Sequence, residues 1–211
     1  MARTFSVLTA LFAAYVSGAS LGERNGIYSS CKSYDDTYDN IAVLTGTLPQ
    51  LNPITLYNGL TYEAWQTSQP TNGVIAHSKP NVAAAAMEGD LVQLGVVTLN
   101  PFGSMTLAPG TKAFDAKSFF FGCVVDLEQA AATISSGCTI SVTAFTIYGQ
   151  QVPVATFAFA PTMEIGNPLT FAQLPSTFSL LKNITFGIAD ASVATAQTVL
   201  DIDDFVHCNY S

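Results

Sequence analysis

AFDAKSFFFGCVV at 113–125, SGCTISVTAFTIYG at 136–149 and QQVPVATFAFA at 150–160 decide the class of fold. The three runs are rich in Phe, Val, Ile and Thr and are separated by Gly, Ser and Gln, the pattern of adjacent antiparallel strands. In the first run Phe119, Phe121, Cys123 and Val125 alternate onto one face, and Phe120, Gly122 and Val124 onto the other. Both faces are apolar, so this strand is expected inside a sheet with cover on each side, as in a two-layer sandwich. The second run sets Thr139, Ser141 and Thr143 against Ile140, Val142 and Ala144, which predicts one wet face. Tyr148-Gly149-Gln150-Gln151 then turns the chain into the third strand, with Pro153 at its start or on an edge.

Cys123 and Cys138 lie near the facing ends of the first two runs, so a disulfide is expected to staple them. Closing a loop of that size contributes about 3 kcal/mol in the chain-entropy model. Four cysteines allow three pairings. The expected set is Cys123–Cys138 together with Cys31–Cys208, which ties the two ends of the domain. Zinc is a poor rival, because no CxxC pair is present and only His77 and His207 are available.

Residues 1–19 read as a secretory signal peptide: Arg3, an apolar run from Val7 to Val16, and the small-residue site Ser17-Gly18-Ala19. Residues 20–33 read as an N-terminal leader and 34–211 as one β-sandwich domain. Neither a spanning helix nor a lipid anchor is expected, so the mature protein should be secreted, extracellular or associated with a cell wall. An even cysteine count agrees with an oxidising compartment. Without Arg3 the chain keeps six basic and fifteen acidic residues, 6 − 15 = −9, which lacks the footprint for nucleic acid or an anionic membrane. Charged residues make up only 10% of the chain, so its surface must be built from Thr, Ser, Gln, Asn and Gly. These groups hydrogen-bond sugar hydroxyls well, and they also make an ordinary secreted β-sheet surface.

Along the rest of the chain, Ile41 to Leu48 is a short strand candidate and Tyr57-Asn58-Gly59-Leu60 a turn, followed by Tyr62 and Trp65. Ala83 to Met87 resembles a helix start but is too short to be a stable helix and packs equally well in a sheet. Leu91 to Leu99 is β-like, Asn100 to Thr111 reads as a Pro/Gly loop, and Pro161 to Pro175 as irregular. Phe178 to Ile188 is a strand with Ile184, Phe186 and Ile188 on one face and, on the other, Asn183 and Thr185 of the acceptor sequence Asn183-Ile184-Thr185. Alternation makes that second face wet, as an N-glycan at Asn183 requires. Asn209-Tyr210-Ser211 also fits the acceptor pattern, with poor occupancy expected at the C-terminus. In the last strand, Gln197 to Cys208, alternation places Leu200, Ile202, Val206 and Cys208 on one face with Asp204 among them. A carboxylate there must be paired, hydrogen-bonded or on a metal.

About eight β-like runs with few helical periods give an all-β sandwich of two antiparallel sheets. The order of pieces is an early Asp35-Asp36, YNGLTYEAW (57–65), AFDAKSFFFGCVV, an alternating strand ending in a glycine turn, FSLLKNITFGI (178–188) and LDIDDFV (200–206). It resembles the galactose-binding-like jelly roll, as found in carbohydrate-binding-module-like domains and in small secreted fungal proteins. That resemblance implies that the first and last strands lie side by side, bringing Asp35 or Asp36 close to Asp203 or Asp204 and supporting the Cys31–Cys208 link. It also implies a structural calcium at that junction, for which carboxylates are suitable ligands, although no DxDxDG loop is present.

Three classes of function remain. A glycosidase needs two carboxylates across a cleft; Glu63, Glu88, Asp90, Asp115, Asp126 and Glu128 are present without a motif around them. His77 and His207 have no GxSxG partner, and a start at Ser20 does not suit a copper oxidase that begins with histidine. A binding protein needs exposed aromatics to stack on sugars. The candidates are Tyr57, Tyr62, Trp65 and His77 in the loop-rich part before the core strands, with the alternative that Tyr62 and Trp65 are core. The third class is a secreted interaction protein whose partner is another extracellular protein. The leading expectation is a non-catalytic protein that binds a glycan or cell-wall polysaccharide.

Overall fold

A computed structural model of the chain describes residues 30–43, 52–70, 72–86, 102–126, 133–192 and 198–211. The expected signal peptide and the Leu91 to Leu99 run lie outside these residues. The described residues contain no helix. Their strands are β1 (Lys32–Asp36), β2 (Asn52–Pro53), β3 (Leu56–Tyr57), β4 (Leu60–Glu63), β5 (Gln66–Ser68), β6 (Val74–Ile75), β7 (Val82–Ala86) and β8 (Phe102–Leu107). They continue with β9 (Ala113–Asp126), β10 (Thr133–Ser135), β11 (Cys138–Thr146), β12 (Ala155–Phe159), β13 (Asn167–Pro168), β14 (Thr170–Gln173), β15 (Leu181–Ala191) and β16 (Thr198–Tyr210).

These form an antiparallel β-sandwich made by one curled sheet. In the front layer the order runs β2, β5, β7, β16, β9; β1 lies beside the second half of β16, and β14 and β10 line the far side of β9. The back layer runs β12, β11, β15, β8, β4, β3. The layers join where Leu181 of β15 pairs with Phe114 of β9. The first and last strands do lie side by side, with Asp35 opposite Val206 and Asp36 opposite Phe205.

The core lies between the layers. Phe119, Phe121, Leu200, Ile202 and Phe205 of the front meet Leu60, Met105, Ile140, Ile184 and Phe186 of the back, all of them buried. Phe186 is the junction: its ring centroid lies 5.2 Å from Phe119, 5.8 Å from Trp65 and 6.0 Å from Phe205, each at a steep edge-to-face angle. Rings prefer this arrangement because a positive edge meets a negative face.

Both expected disulfides are present, with Cα separations of 5.5 Å for Cys31–Cys208 and 6.2 Å for Cys123–Cys138. The second does not staple neighbouring strands, which corrects the sequence reading. β9 is in the front layer and β11 pairs with β12 and β15 in the back, so the bond crosses the sandwich. Two strands whose inward faces are both apolar satisfy burial equally well by facing each other as by lying edge to edge. Other readings change as well. Ala83 to Ala86 belongs to β7, which pairs with β5 on one side and β16 on the other, and Ala83, Ala84 and Ala85 are buried there. The stretch read as a loop at 100–111 contains β8, an interior strand between β4 and β15, and the stretch at 161–175 contains β14.

β8 explains its own glycine. A Cβ on Gly103 would lie 2.2 Å from the Trp65 ring, so the indole fits only because the strand beside it lacks a side chain there. Gly103→Ala must displace a fully buried ring, and overpacking of this kind costs about 1–3 kcal/mol. The variant is expected to unfold at lower denaturant concentration with an unchanged slope, followed through Trp65, the single tryptophan of the chain. A wild-type midpoint would overturn this packing.

Candidate functional site

The site is set by one irregularity in β16. Asp203 pairs with Phe120 and Val206 with Ser118, so two residues of β16 stand opposite one of β9, and Asp204 takes a left-handed φ of 46°. This is a β-bulge, which reverses the alternation beyond it. Leu200 and Ile202 face the core before it; Phe205, His207 and Asn209 face the core after it. The expectation that Val206 and Cys208 share the face of Leu200 and Ile202 is thereby corrected, because a strict period of two does not survive an inserted residue. Asp203 and Asp204 are turned to the outer face, where residues 77–78 receive them.

On the inner side β1 delivers Asp36 to His207. Asp36 is fully buried; one carboxylate oxygen accepts from Asn58 Nδ2 at 2.6 Å, and the other accepts from the Tyr62 hydroxyl and His207 Nε2, the latter at 3.2 Å. His207 Nδ1 lies 2.7 Å from Asn209 Oδ1, and that amide is oriented by its Nδ2 donating to the Asn58 carbonyl at 2.7 Å. Both ring nitrogens therefore face oxygens. Tyr34 and Phe205 stack on the two sides of the ring, at 5.2 and 5.3 Å. Burial first, and then charges including that of Asp36, hold the Tyr38 and Tyr62 phenols well above their usual range. This network is closed to solvent and ties the ends of the chain together.

The outer face of the front layer is different. Pairing aligns Phe171, Phe120 and Asp203 in one row, and Gln173, Ser118, Val206 and Asp35 in the next. At about 4.8 Å per strand the second row is about 14 Å across. Phe171 is 52% exposed and meets Phe120 at 5.3 Å. The His77 ring lies parallel to Phe120, with centroids 3.6 Å apart, and its Nδ1 bonds Asp204. His77 is thus held from one face and one edge while its side chain stays 51% exposed. Asp203 accepts from Ser78 N at 2.8 Å, Ser78 Oγ at 2.9 Å and Asp204 N at 2.8 Å, which anchors the loop carrying His77. Asp35 is exposed beside them; partial burial and then repulsion by Asp204 raise its carboxyl above the usual value. The result is a ridge of three aromatic rings bordered by carboxylate acceptors.

Of the four aromatics singled out from sequence, only His77 stands on this ridge. Trp65 is 1% exposed and Tyr62 3%, so the proposed sugar platform of these two is wrong: both fill the core. Tyr57 is half-buried and donates to Asn40 Oδ1 at 2.6 Å. Phe120 and Phe171 were missed. Phe120 belongs to the face read as covered; that holds at Gly122, where a Cβ would lie 2.9 Å from Leu169 and 3.0 Å from Val74, but the cover ends at Phe120. The calcium set is not brought together either. Asp36 points into the core, while Asp203 and Asp204 are bound by Ser78 and His77. Among the described residues no three His, Cys, Asp or Glu side chains are arranged to hold a metal ion. A cavity of about 480 Å³ at Cys138, Thr139, Asp190 and Ser192 presents one carboxylate and no exposed ring.

No protein-family model matches the chain, and no curated protein matches it in sequence. Among solved structures, a DUF4465 family protein from Bacteroides caccae is similar over 85% of this chain and 100% of its own, with a TM-score of 0.52 and 9% identity. A family 29 carbohydrate binding module is similar over 84% of this chain and 91% of its own, with a TM-score of 0.38 and 9% identity. An arabinose-bound α-L-arabinofuranosidase is similar over 89% of this chain, which spans 27% of that enzyme, with a TM-score of 0.44 and 12% identity. The first likeness shows the fold alone; the other two fall below 0.5 and decide nothing about activity. The antiparallel β-sandwich expected from the sequence thus holds for the fold. Two disulfides in such a fold are consistent with an extracellular protein.

Beside the ridge, on the covered part of the same face, Asp201 is buried opposite Gly122. Burial, and then the charge of Asp203, push its carboxyl up to about 7; Asp203 is also raised to about 7, chiefly by burial. Unfolded, both groups return to 3.8, so between pH 4 and 7 the folded state binds more protons. Stability from these two therefore falls as pH rises through that window, and the penalty is complete above 7. Asp201→Asn is expected to raise Tm at about pH 8 by at least about 3 °C, on a scale where 1 kcal/mol shifts a chain of this size by about 2–4 °C. At about pH 4 it should match wild type, whose Asp201 is then neutral. A constant offset at both pH values would show that the carboxylate is not the cause.

Proposed function

We propose that this is a secreted, non-catalytic glycan-binding protein, and that the ligand lies on the outer face of the front layer across Phe171, Phe120 and His77. The observation that carries the reading is the exposed Phe171, paired with a Phe120 that is itself stacked beneath His77. Flat rings offer apolar faces to the C–H surfaces of a sugar, while Asp35 and Asp204 at the border accept hydrogen bonds from its hydroxyls. The ridge is preorganised, because Asp204 and Phe120 fix the imidazole before any ligand arrives, which lowers the ordering cost of binding.

The non-catalytic part rests on where the carboxylates go. Asp115 accepts from Leu180 N at 2.8 Å and from the Tyr210 hydroxyl at 2.9 Å, and Glu63 stands on the back layer beside Ser104. These two are on different layers and do not face each other across a cleft. The side chains of Glu88, Asp90, Asp126 and Glu128 lie outside the described residues. A protein partner is the second reading, favoured by Tyr148 and Val154, which are 69% and 53% exposed near the tip of β11 and β12, away from the ridge.

The test is binding of the mature protein to a panel of soluble and insoluble polysaccharides. Phe171→Ala, at a half-exposed position, should weaken binding at least tenfold, about 1.4 kcal/mol, with Tm and Trp65 fluorescence unchanged. Binding to a glycan that survives both Phe171→Ala and His77→Ala would remove the ridge as the site. Binding to no member of the panel would sink the glycan reading and leave the protein partner.

A further inference from the structure

The outer face of the back layer is unlike that of the front. Pairing aligns Glu63, Ser104, Thr185 and Thr143 in one row and Thr61, Thr106, Asn183 and Phe145 in the next. Every hydroxyl residue here is half-buried, and Glu63 is the one charged residue of these two rows. The inward neighbours Leu60, Tyr62, Met105, Ile184, Phe186, Val142 and Ala144 are all buried, so the two faces are cleanly divided. Phe145 does not belong to this pattern: it is a large ring, 40% exposed, in a row of small hydroxyl side chains.

Asn183 stands directly opposite it. The ladder between β11 and β15 is irregular at Phe145 and Thr146, and the Phe145 N–H is taken up by Asn183 Oδ1 at 3.0 Å. A backbone N–H can only donate, so the amide orientation is determined and Nδ2 is the free-turning end available for substitution. Asn183-Ile184-Thr185 is an acceptor sequence, and both Asn183 and Thr185 are on the wet face. The other acceptor sequence is unsuitable: Asn209 is 7% exposed, its Oδ1 faces His207 and its Nδ2 donates to Asn58.

We propose that Asn183 carries an N-linked glycan whose first sugar packs on the exposed ring of Phe145 and covers the outer face of the back layer. The hydroxyls of Thr106, Thr143 and Thr185 bound that sugar with neutral donors and acceptors, and the Phe145 ring supplies its apolar floor. The inference does not depend on ligand binding by the front layer. It divides the molecule into one covered face and one open one.

The full chain, secreted from eukaryotic cells, is analysed by peptide mass spectrometry. A glycan is expected on the peptide containing Asn183 and none on Asn209. Thr185→Ala should abolish it and Thr185→Ser should retain it, the latter guarding against loss of folding as the cause. Enzymatic removal of the glycan should lower the Tm of wild type by about 3 °C and leave that of Phe145→Ala unchanged, because the contact is already gone. An unmodified Asn183 in the secreted protein would overturn the proposal. An equal Tm loss in wild type and Phe145→Ala would overturn the seat on Phe145.

Discussion

One inserted residue in the long pairing of β9 with β16 governs most of what is distinctive here. Ten or more cross-strand partners hold these two strands in register, and a shift of one position would exchange their inner and outer side chains. The bulge at Asp204 makes such a shift in mid-strand, and a second irregularity follows between Val206 and His207, where β9 has the extra residue. Before it, Leu200 and Ile202 are buried on the inner face; after it, His207 and Phe205 are, the latter with its ring 6.0 Å from Phe186. The same step expels two consecutive aspartates toward residues 77–78 and so builds the floor of the aromatic ridge.

Placing His207 in the core has its own requirement. A buried imidazole needs polar partners at its ring nitrogens, and β1 supplies Asp36 at one of them while Asn209 stands at the other. Charges removed from water are costly, and removing one partner of such a pair costs about 3–5 kcal/mol. Asn58, Tyr62 and Asn209 complete the hydrogen bonds, and the disulfide from Cys31 to Cys208 holds β1 against β16 a few residues away. The strand that closes the sandwich is thus tied by a covalent bond at one end and the buried Asp36–His207 contact at the other. The arrangement specifies a single register for β1, since a slip of one residue would turn Asp36 to the outer face and take it away from His207.

The two outer faces follow from what each sheet leaves uncovered. The back layer alternates along most of its length, so its wet face carries Thr, Ser and Asn, with Glu63 and the exposed ring of Phe145 among them. The front layer is apolar on both sides, so its outer face needs cover, which β6 and β13 provide over Gly122. That cover stops at Phe120, where the His77 ring stacks on the sheet. The ridge is therefore the border between a covered and an open part of one apolar surface, where aromatic rings and polar groups naturally meet.

Much of this was legible in the chain itself. Alternation in Thr139 to Ala144 and in Asn183 to Ile188 assigned wet and dry faces correctly, because side chains on a strand must point to opposite sides. The cysteine count, the order of runs and the side-by-side first and last strands were also readable. Local pattern failed where a contact between distant segments overrides it. Trp65 and Tyr62 look like a binding platform in a loop-rich stretch, yet Gly103 and Phe186, far along the chain, take them into the core. Phe171, in a stretch without strand grammar, becomes a strand only by pairing with Phe120. The sequence by itself determined which faces are apolar and therefore that two sheets must stack. Only the tertiary structure decided which strands face each other, where the register jumps and which rings remain in water, because burial is shared between segments and no single segment carries its partner's geometry.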